Sequence, residues 1–485
     1  MMLPHRPAPR GGSRFFLVRH LTLLDERTTS DVWTMRSAAL AFSLAAVIGC
    51  AASGAAQTGP VDSLVTEAIR ANRGLQERRY ADARSEAAVR EAAALGRPSI
   101  SLDARYSRTH GARNLGDLVN PAYAALNQLT GTDAFPTNVD ARLPLAQETR
   151  VRVAQPLYRP AIGHNVALRR SLRGVQGAEL GAATRQLAAD VQSAWLRHAQ
   201  AARVVQVYAS TLPLLAENLR VAERLVAAGK ATPDAVYRAR AELGEAEQQR
   251  DEAEQQRGAA ARFLNYLVDR PLDTPVAVPD DSAWAGPLPL TLDEARARAL
   301  AGREELRGAE QGVRAAEAQG RIAAAGRLPT VSVALDYGIQ GNRYELSRDA
   351  DFAIASVLVQ WSPWEGGQTS ARRQGAALEA QAARVRRADA ERRIDLEVRQ
   401  AYEAAVVARA AIATAADRVA AARRTFELVA RKYQEGAAPQ IEYLDVRAAL
   451  TRAELNLVIT RHDYALRRVE LERAAALRTF APEAP

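Results

Sequence analysis

The stretch VRQAYEAAVVARAAIATAADRVAAARRTFELVARKY, residues 398–433, reads in sevens. Val398, Ala405, Ile412, Val419, Phe426 and Tyr433 share one heptad position. Ala401, Ala408, Ala415, Ala422 and Val429 fall three residues later. That is an apolar a/d seam with Arg, Asp and Glu on the other faces, the pattern of a long helix packed along a partner helix. Alanine at most of the second positions lets the partner come close. About 207 residues earlier the same seam recurs in the same phase. Val191, His198, Val205, Leu212, Leu219 and Val226 form one series, and Ala194, Ala201, Tyr208, Leu215 and Ala222 the other. Gly229 follows the first copy and Gly436 the second. A duplicated long-helix unit is the primary reading of this chain.

Working outward, the composition agrees. The 485 residues have few aromatics and a formal net charge of +9. Lys230 and Lys432 are the only lysines, so the basic residues are nearly all Arg, alternating with Glu and Asp along the helices. This reads as a solvated, ion-paired face rather than a nucleic-acid patch. Cys50 is the only cysteine, so no internal disulfide forms. Met35-Arg36, an apolar run at 38–48 and small residues up to Ala56 make a secretory signal peptide over 35–56, with 1–34 an over-extended start. Val47-Ile48-Gly49-Cys50 also fits a lipobox with Cys50 as the lipidated residue, against ordinary cleavage after Ala56. Both alternatives stand. No later stretch has the ~18 uninterrupted apolar residues of a membrane helix.

The first repeat spans 60–268. A helix is expected over 60–96, stopped by Arg97-Pro98. The period then changes to two: Ile100, Leu102, Ala104 and Tyr106 alternate with polar residues, which makes a strand. A long polar loop and a second strand at 149–158 follow, then the seam helix, a tight tip at 230–234 and a returning helix. Residues 269–290 are a Pro-rich linker. The second repeat, 291–478, has the same plan: a helix to Arg327, strands at 330–339 and 352–361 joined by a shorter loop, the second seam helix, the tip Gly436-Ala437-Ala438-Pro439 and a last helix. Residues 479–485 are a tail. The short helices of each repeat sum to the length of the long one, so they lie end to end beside it, giving a rod with strands at one end and tips at the other. The fold class is mainly α with β: two coiled-coil hairpins plus four strands per chain.

Four strands of about ten residues have the length that crosses a bilayer when tilted. Alone they cannot close a barrel, and an open edge in lipid leaves backbone groups unpaired, so several chains must share one barrel if it is in a membrane. Tyr106, Tyr158, Tyr337, Trp361 and Trp364 sit at strand ends, where an aromatic girdle belongs. Catalytic signals are weak. The 228–232 stretch echoes a phosphate loop but has Arg224 where the first Gly belongs and Ala231 where Ser or Thr is needed. No Cys/His metal spacing occurs, and neither a cofactor nor an enzymatic activity is expected.

The order helix, Pro-stopped strand, loop, strand, long helix, Gly-marked tip and returning helix, all present twice, resembles the outer-membrane efflux protein (TolC) family over about 60–478. The resemblance implies a homotrimer with one 12-strand barrel in outer-membrane lipid and an α-helical tunnel across the periplasm. It implies tips that meet a periplasmic adaptor protein joined to an inner-membrane pump, as in tripartite efflux or type I secretion. It assigns adaptor docking to the tips, here Gly229, Lys230, Pro233, Asp234, Gly436, Ala437 and Pro439. It places acids at the periplasmic aperture six and nine residues past the second tip Gly, where this chain has Glu442 and Asp445. The family's basic residue two past that Gly is replaced by Ala438, so a closing network must be built differently, with Tyr443 and Arg447 as candidates. A periplasmic adaptor or a structural coiled coil of the envelope is the alternative. The first would carry one hairpin and several small β-domains, and the second would lack the strands.

Overall fold

The computed structural model describes residues 60–108, 114–140, 146–278, 286–341 and 350–480. The proposed signal segment, Cys50, most of the second inter-strand loop and the end of the tail lie outside the described residues. The first repeat runs α1 (Pro60–Ala71), α2 (Arg73–Ala94), β1 (Ser99–Tyr106), α3 (Gly116–Thr130), β2 (Gln147–Tyr158), α4 (Pro160–Ala227) and α5 (Asp234–Leu267). The second runs α6 (Leu292–Gly302), α7 (Glu304–Ala325), β3 (Thr330–Gly341), β4 (Asp351–Gln360), α8 (Gln368–Gln434) and α9 (Gln440–Ala474). The long helices α4 and α8 have 68 and 67 residues, roughly 100 Å each at 1.5 Å per residue. Both bury the heptad seam. Val191, Ala194, Ala201 and Ala222 on α4 match Val398, Ala401, Ala408 and Val429 on α8 as buried positions. Leu264 and Leu471, their partners on α5 and α9, are fully enclosed.

Two expectations need correction. Residues 60–96 and 292–327 are not single helices; each is broken at one residue. Asn72 leaves the helical region at ψ 122°, and its side chain accepts from Leu75 N as the cap of α2. Asn is among the strongest N-cap residues, so the break is local chemistry. The same side chain donates to Leu267 O at the end of α5. In the second repeat Arg303 breaks the helix at ψ 127°, and its guanidinium donates to Ala474 O at the end of α9. The first inter-strand connection is also more than polar loop: it carries α3.

The two repeats meet on α4, which packs against α5 on one side and against α7 and α9 on others. Small residues bring α7 close: a Cβ at Gly181 would stand 2.8 Å from Glu304 Cγ. There Arg185 grips Glu304 with two hydrogen bonds of 2.7 and 2.9 Å, and both side chains are buried. Arg185 also donates to Arg478 O at 2.6 Å, tying the chain end to the first repeat. Burial pushes the Glu304 carboxyl up, but the hydrogen bonds and charge of Arg185 outweigh it and hold the group below its usual value.

The four strands form one antiparallel sheet in the order β1-β2-β3-β4. Opposed residues share a face, so the register sorts the side chains. One face carries Ile100 and Leu102, Val151 and Val153, Leu335 and Tyr337, and Val357 and Val359. The other carries ion pairs: Arg152 with Asp336 through bonds of 2.6 and 2.9 Å, and Arg105 with Glu148 at 2.8 Å. β1 and β4 are the sheet's edges, each paired on one side only among the described residues. Tyr106, Tyr158, Tyr337, Trp361 and Trp364 are all exposed at the strand ends or on the apolar face. Among the described residues no helix is long and apolar enough to cross a membrane.

Candidate aperture and docking tips

Each tip is set by a glycine in the left-handed region. Gly229 has φ 71° and Gly436 φ 77°, conformations that cost an L-residue with a Cβ. The chain folds back through two bonds at each: Gly229 N to Val226 O with Lys230 N to Leu225 O, and Gly436 N to Tyr433 O with Ala437 N to Lys432 O. This is the Schellman arrangement that ends a helix on a glycine. Pro233 then precedes α5 and Pro439 precedes α9, where a missing N–H costs nothing. Asp234 opens α5 and pairs with Arg238 at 3.8 Å. Lys230 and Ala437 are exposed at the turns.

On α9 the four residues expected at the aperture divide between two faces. Glu442 and Asp445, three residues apart, are exposed. Tyr443 and Arg447, four apart, turn inward. Tyr443 stacks on Tyr433 with centroids 4.9 Å apart and lies 5.7 Å from Phe426. Arg447 is buried and donates to Thr211 Oγ1 of α4 at 2.7 Å, with its Cζ 5.3 Å above the Phe426 ring. Its Nε has no partner among the described residues. Burial therefore pulls the guanidinium down from its usual value, against the opposing charge of Glu454. Gln440 completes the contact by donating to Asn218 Oδ1 at 3.0 Å. The tie between hairpins near the tips is thus a buried cation on a hydroxyl and an aromatic ring, backed by an amide pair.

Sequence reading missed Thr211, Asn218 and Gln440, because a single polar residue beside a seam carries no signal of its partner. It also missed Glu242 on α5. Burial raises that carboxyl, and the nearby charges of Glu245 and then Asp445 raise it further. Asp445 therefore faces other acids within its own chain. Among the described residues no group of acids and histidines could hold a metal ion.

Residues 295–477 match the family model described as outer membrane efflux protein. No curated protein sequence matches the chain. Several solved structures share the fold. The outer-membrane channel OprN is similar at 19% identity and a TM-score of 0.71, over 86% of this chain and 89% of that one. The outer membrane protein VceC of Vibrio cholerae is similar at 16% identity and a TM-score of 0.69, over 86% and 95%. The CmeC outer membrane channel of Campylobacter jejuni gives 14% identity and a TM-score of 0.72, over 86% and 85%. The second repeat thus matches the outer membrane efflux protein family, and both repeats together have the fold of the outer-membrane channels.

Proposed function

We propose that three copies of this chain join their sheets edge to edge into one barrel across the outer membrane and their helices into a tunnel beneath it. The assembly is the outlet of a tripartite efflux or secretion machine. The sheet carries the reading. Its strands have bilayer length, one face is apolar and uncovered, the other is charged, and both edges are open. A sheet of this kind is unstable in lipid until its edges are paired, and a second copy supplies the missing partners. The family match over 295–477 and the fold of the channels support the same conclusion. The two hairpins and the single sheet do not favour a periplasmic adaptor.

In this reading the tips dock an adaptor that leads to an inner-membrane pump, and Glu442 and Asp445 line the aperture. Confined acids draw cations, at on the order of 1–4 kcal/mol per close pair for an effective dielectric near 20. Arg447 on Thr211 and Gln440 on Asn218 hold the hairpins together on either side of the acids along α9. Light scattering of the detergent-solubilised protein, with detergent subtracted, tests the assembly. A particle of three chains is expected; a stable monomer or dimer ends the proposal.

A further inference from the structure

We infer that α3 seats its leucine stripe on the lipid surface surrounding the proposed barrel, at the boundary between headgroups and acyl chains. The inference rests on the outer-membrane reading above. Before the strands, matching elements of the repeats are about 231 residues apart, as at Asn72 and Arg303; after them, about 207, as at Gly229 and Gly436. The difference is extra chain in the first inter-strand connection, where α3 lies. The second repeat folds without it.

The insertion is braced by its own segment. Asn120 exchanges hydrogen bonds of 3.0 and 2.9 Å with Val139, and Asn127 exchanges bonds of 2.8 and 3.0 Å with Phe135. The rings of Tyr123 and Phe135 lie 5.7 Å apart. A Cβ at Gly116 would meet Val139 O at 1.8 Å, so only glycine allows this approach. With that face occupied, Leu115, Leu118, Ala122, Leu126 and Leu129 fall within roughly a quarter-turn on the other side. All are exposed, Leu118 to 77% and Leu129 to 85%.

Two observations select lipid. The connection leaves and rejoins the sheet at the Ser107 N to Ala146 O bond, beside Tyr106 on the edge strand. The uncovered apolar face of Ile100, Leu102 and Tyr106 therefore ends where the connection that carries α3 begins. The stripe is also leucine and alanine alone. It lacks the Tyr, Trp, Arg and Met that anchor protein interfaces, and Asp117 is the only charge on α3. An uncharged leucine face beside a protein-braced one can bury apolar area at the acyl boundary.

The test uses the full chain with Cys50→Ser and single bimane-labelled cysteines, in vesicles of phosphatidylethanolamine and lipopolysaccharide containing a headgroup-region nitroxide lipid. Labels at Leu118→Cys and Leu129→Cys should lose as much fluorescence as one at Leu102→Cys on the sheet. A label at Gln128→Cys, off the stripe, should stay bright. If Leu118 and Leu129 stay as bright as Gln128 while Leu102 is quenched, the barrel reading stands and this inference is overturned. Excimers between pyrene labels at Leu118 would overturn it in favour of contact between copies. A bright Leu102 label overturns the membrane reading and this inference with it.

Discussion

The hairpins α4–α5 and α8–α9 share length, seam and tip, yet they are covered differently. On α4 the side beside the seam is buried: Ala189, Gln192, Leu196, Thr211 and Asn218 are enclosed. About 207 residues on, the corresponding α8 residues are Leu396, Arg399, Glu403, Arg418 and Thr425, and all are exposed. The reason is α9, which packs against α4 and has no counterpart on α8 within the chain. The matching face of α5 is equally bare. Leu444 of α9 is buried, whereas Tyr237, its counterpart on α5, is 69% exposed. One chain therefore makes the contact once and leaves its two halves open at opposite sides. In the proposed ring of copies that contact would repeat between neighbours, α8 against α5, and the ring would close when no half remains. In that reading the duplication supplies the interface as well as the fold.

The strongest way to break this comparison is a cross-link. Leu215 and Leu444 share a cluster within the chain, and their counterparts are Ala422 and Tyr237. With Ala422→Cys and Tyr237→Cys in one chain, oxidation should produce covalent dimers and trimers on a denaturing gel. Leu215→Cys with Leu444→Cys should leave the mass of one chain. A monomer band alone from the first pair refutes the ring.

A second contrast is thermodynamic. Arg185→Ala leaves the buried Glu304 with only the exposed Arg307, at 3.0 Å, as its cationic partner, at a cost of up to about 3 kcal/mol. The equivalent Arg392 of α8 is exposed within one chain, so Arg392→Ala should cost less than Arg185→Ala. Denaturant unfolding of the two variants measures both. Equal losses would mean that the repeats are covered alike. Glu304 also sets a pH dependence. Its folded value is lowered, so its stabilisation is present above the usual glutamate value and is lost as pH falls through the folded one. Glu304→Gln should flatten that part of the acid unfolding curve.

A smaller effect is expected at the tips. Arg447→Ala removes the tie to Thr211 and should raise single-channel conductance in planar bilayers. That buried tie is what distinguishes Arg447 from Arg240, its counterpart on α5, which is exposed within the chain. Glu442→Ala with Asp445→Ala should lower cation selectivity and weaken block by divalent cations from the periplasmic side. Wild-type selectivity in that double variant would reduce both to helix-start acids favoured by the dipole.

The smallest effect concerns Glu242. Its folded value is raised, so it costs nothing below the usual glutamate value and opposes folding as pH rises towards the folded one. Glu242→Gln should therefore stabilise slightly at neutral pH and have no effect in acid. A loss of stability at neutral pH would show that the carboxylate has a favourable partner in the assembly.

Local periodicity determined much of this protein from sequence. A seven-residue repeat has one folded solution, a helix with a buried seam, so Val191, Val398 and their series could be placed without coordinates. Alternation at 99–106 and 330–339 sorted strand faces by the same logic, and Gly229 and Gly436 marked the tips because φ near +70° suits little else. Tertiary structure decided what depends on neighbours distant in the chain. Arg185 reads as one more surface arginine until Glu304, 119 residues away, closes on it. Tyr443 and Arg447 separate from Glu442 and Asp445 only because α4 and α8 cover one side of α9. The α3 insertion lacks a long period, since its fold is held by two of its own asparagines bonded to the backbone of a returning segment. Periodicity encodes which face of an element is apolar; which element covers that face is a property of the packed chain.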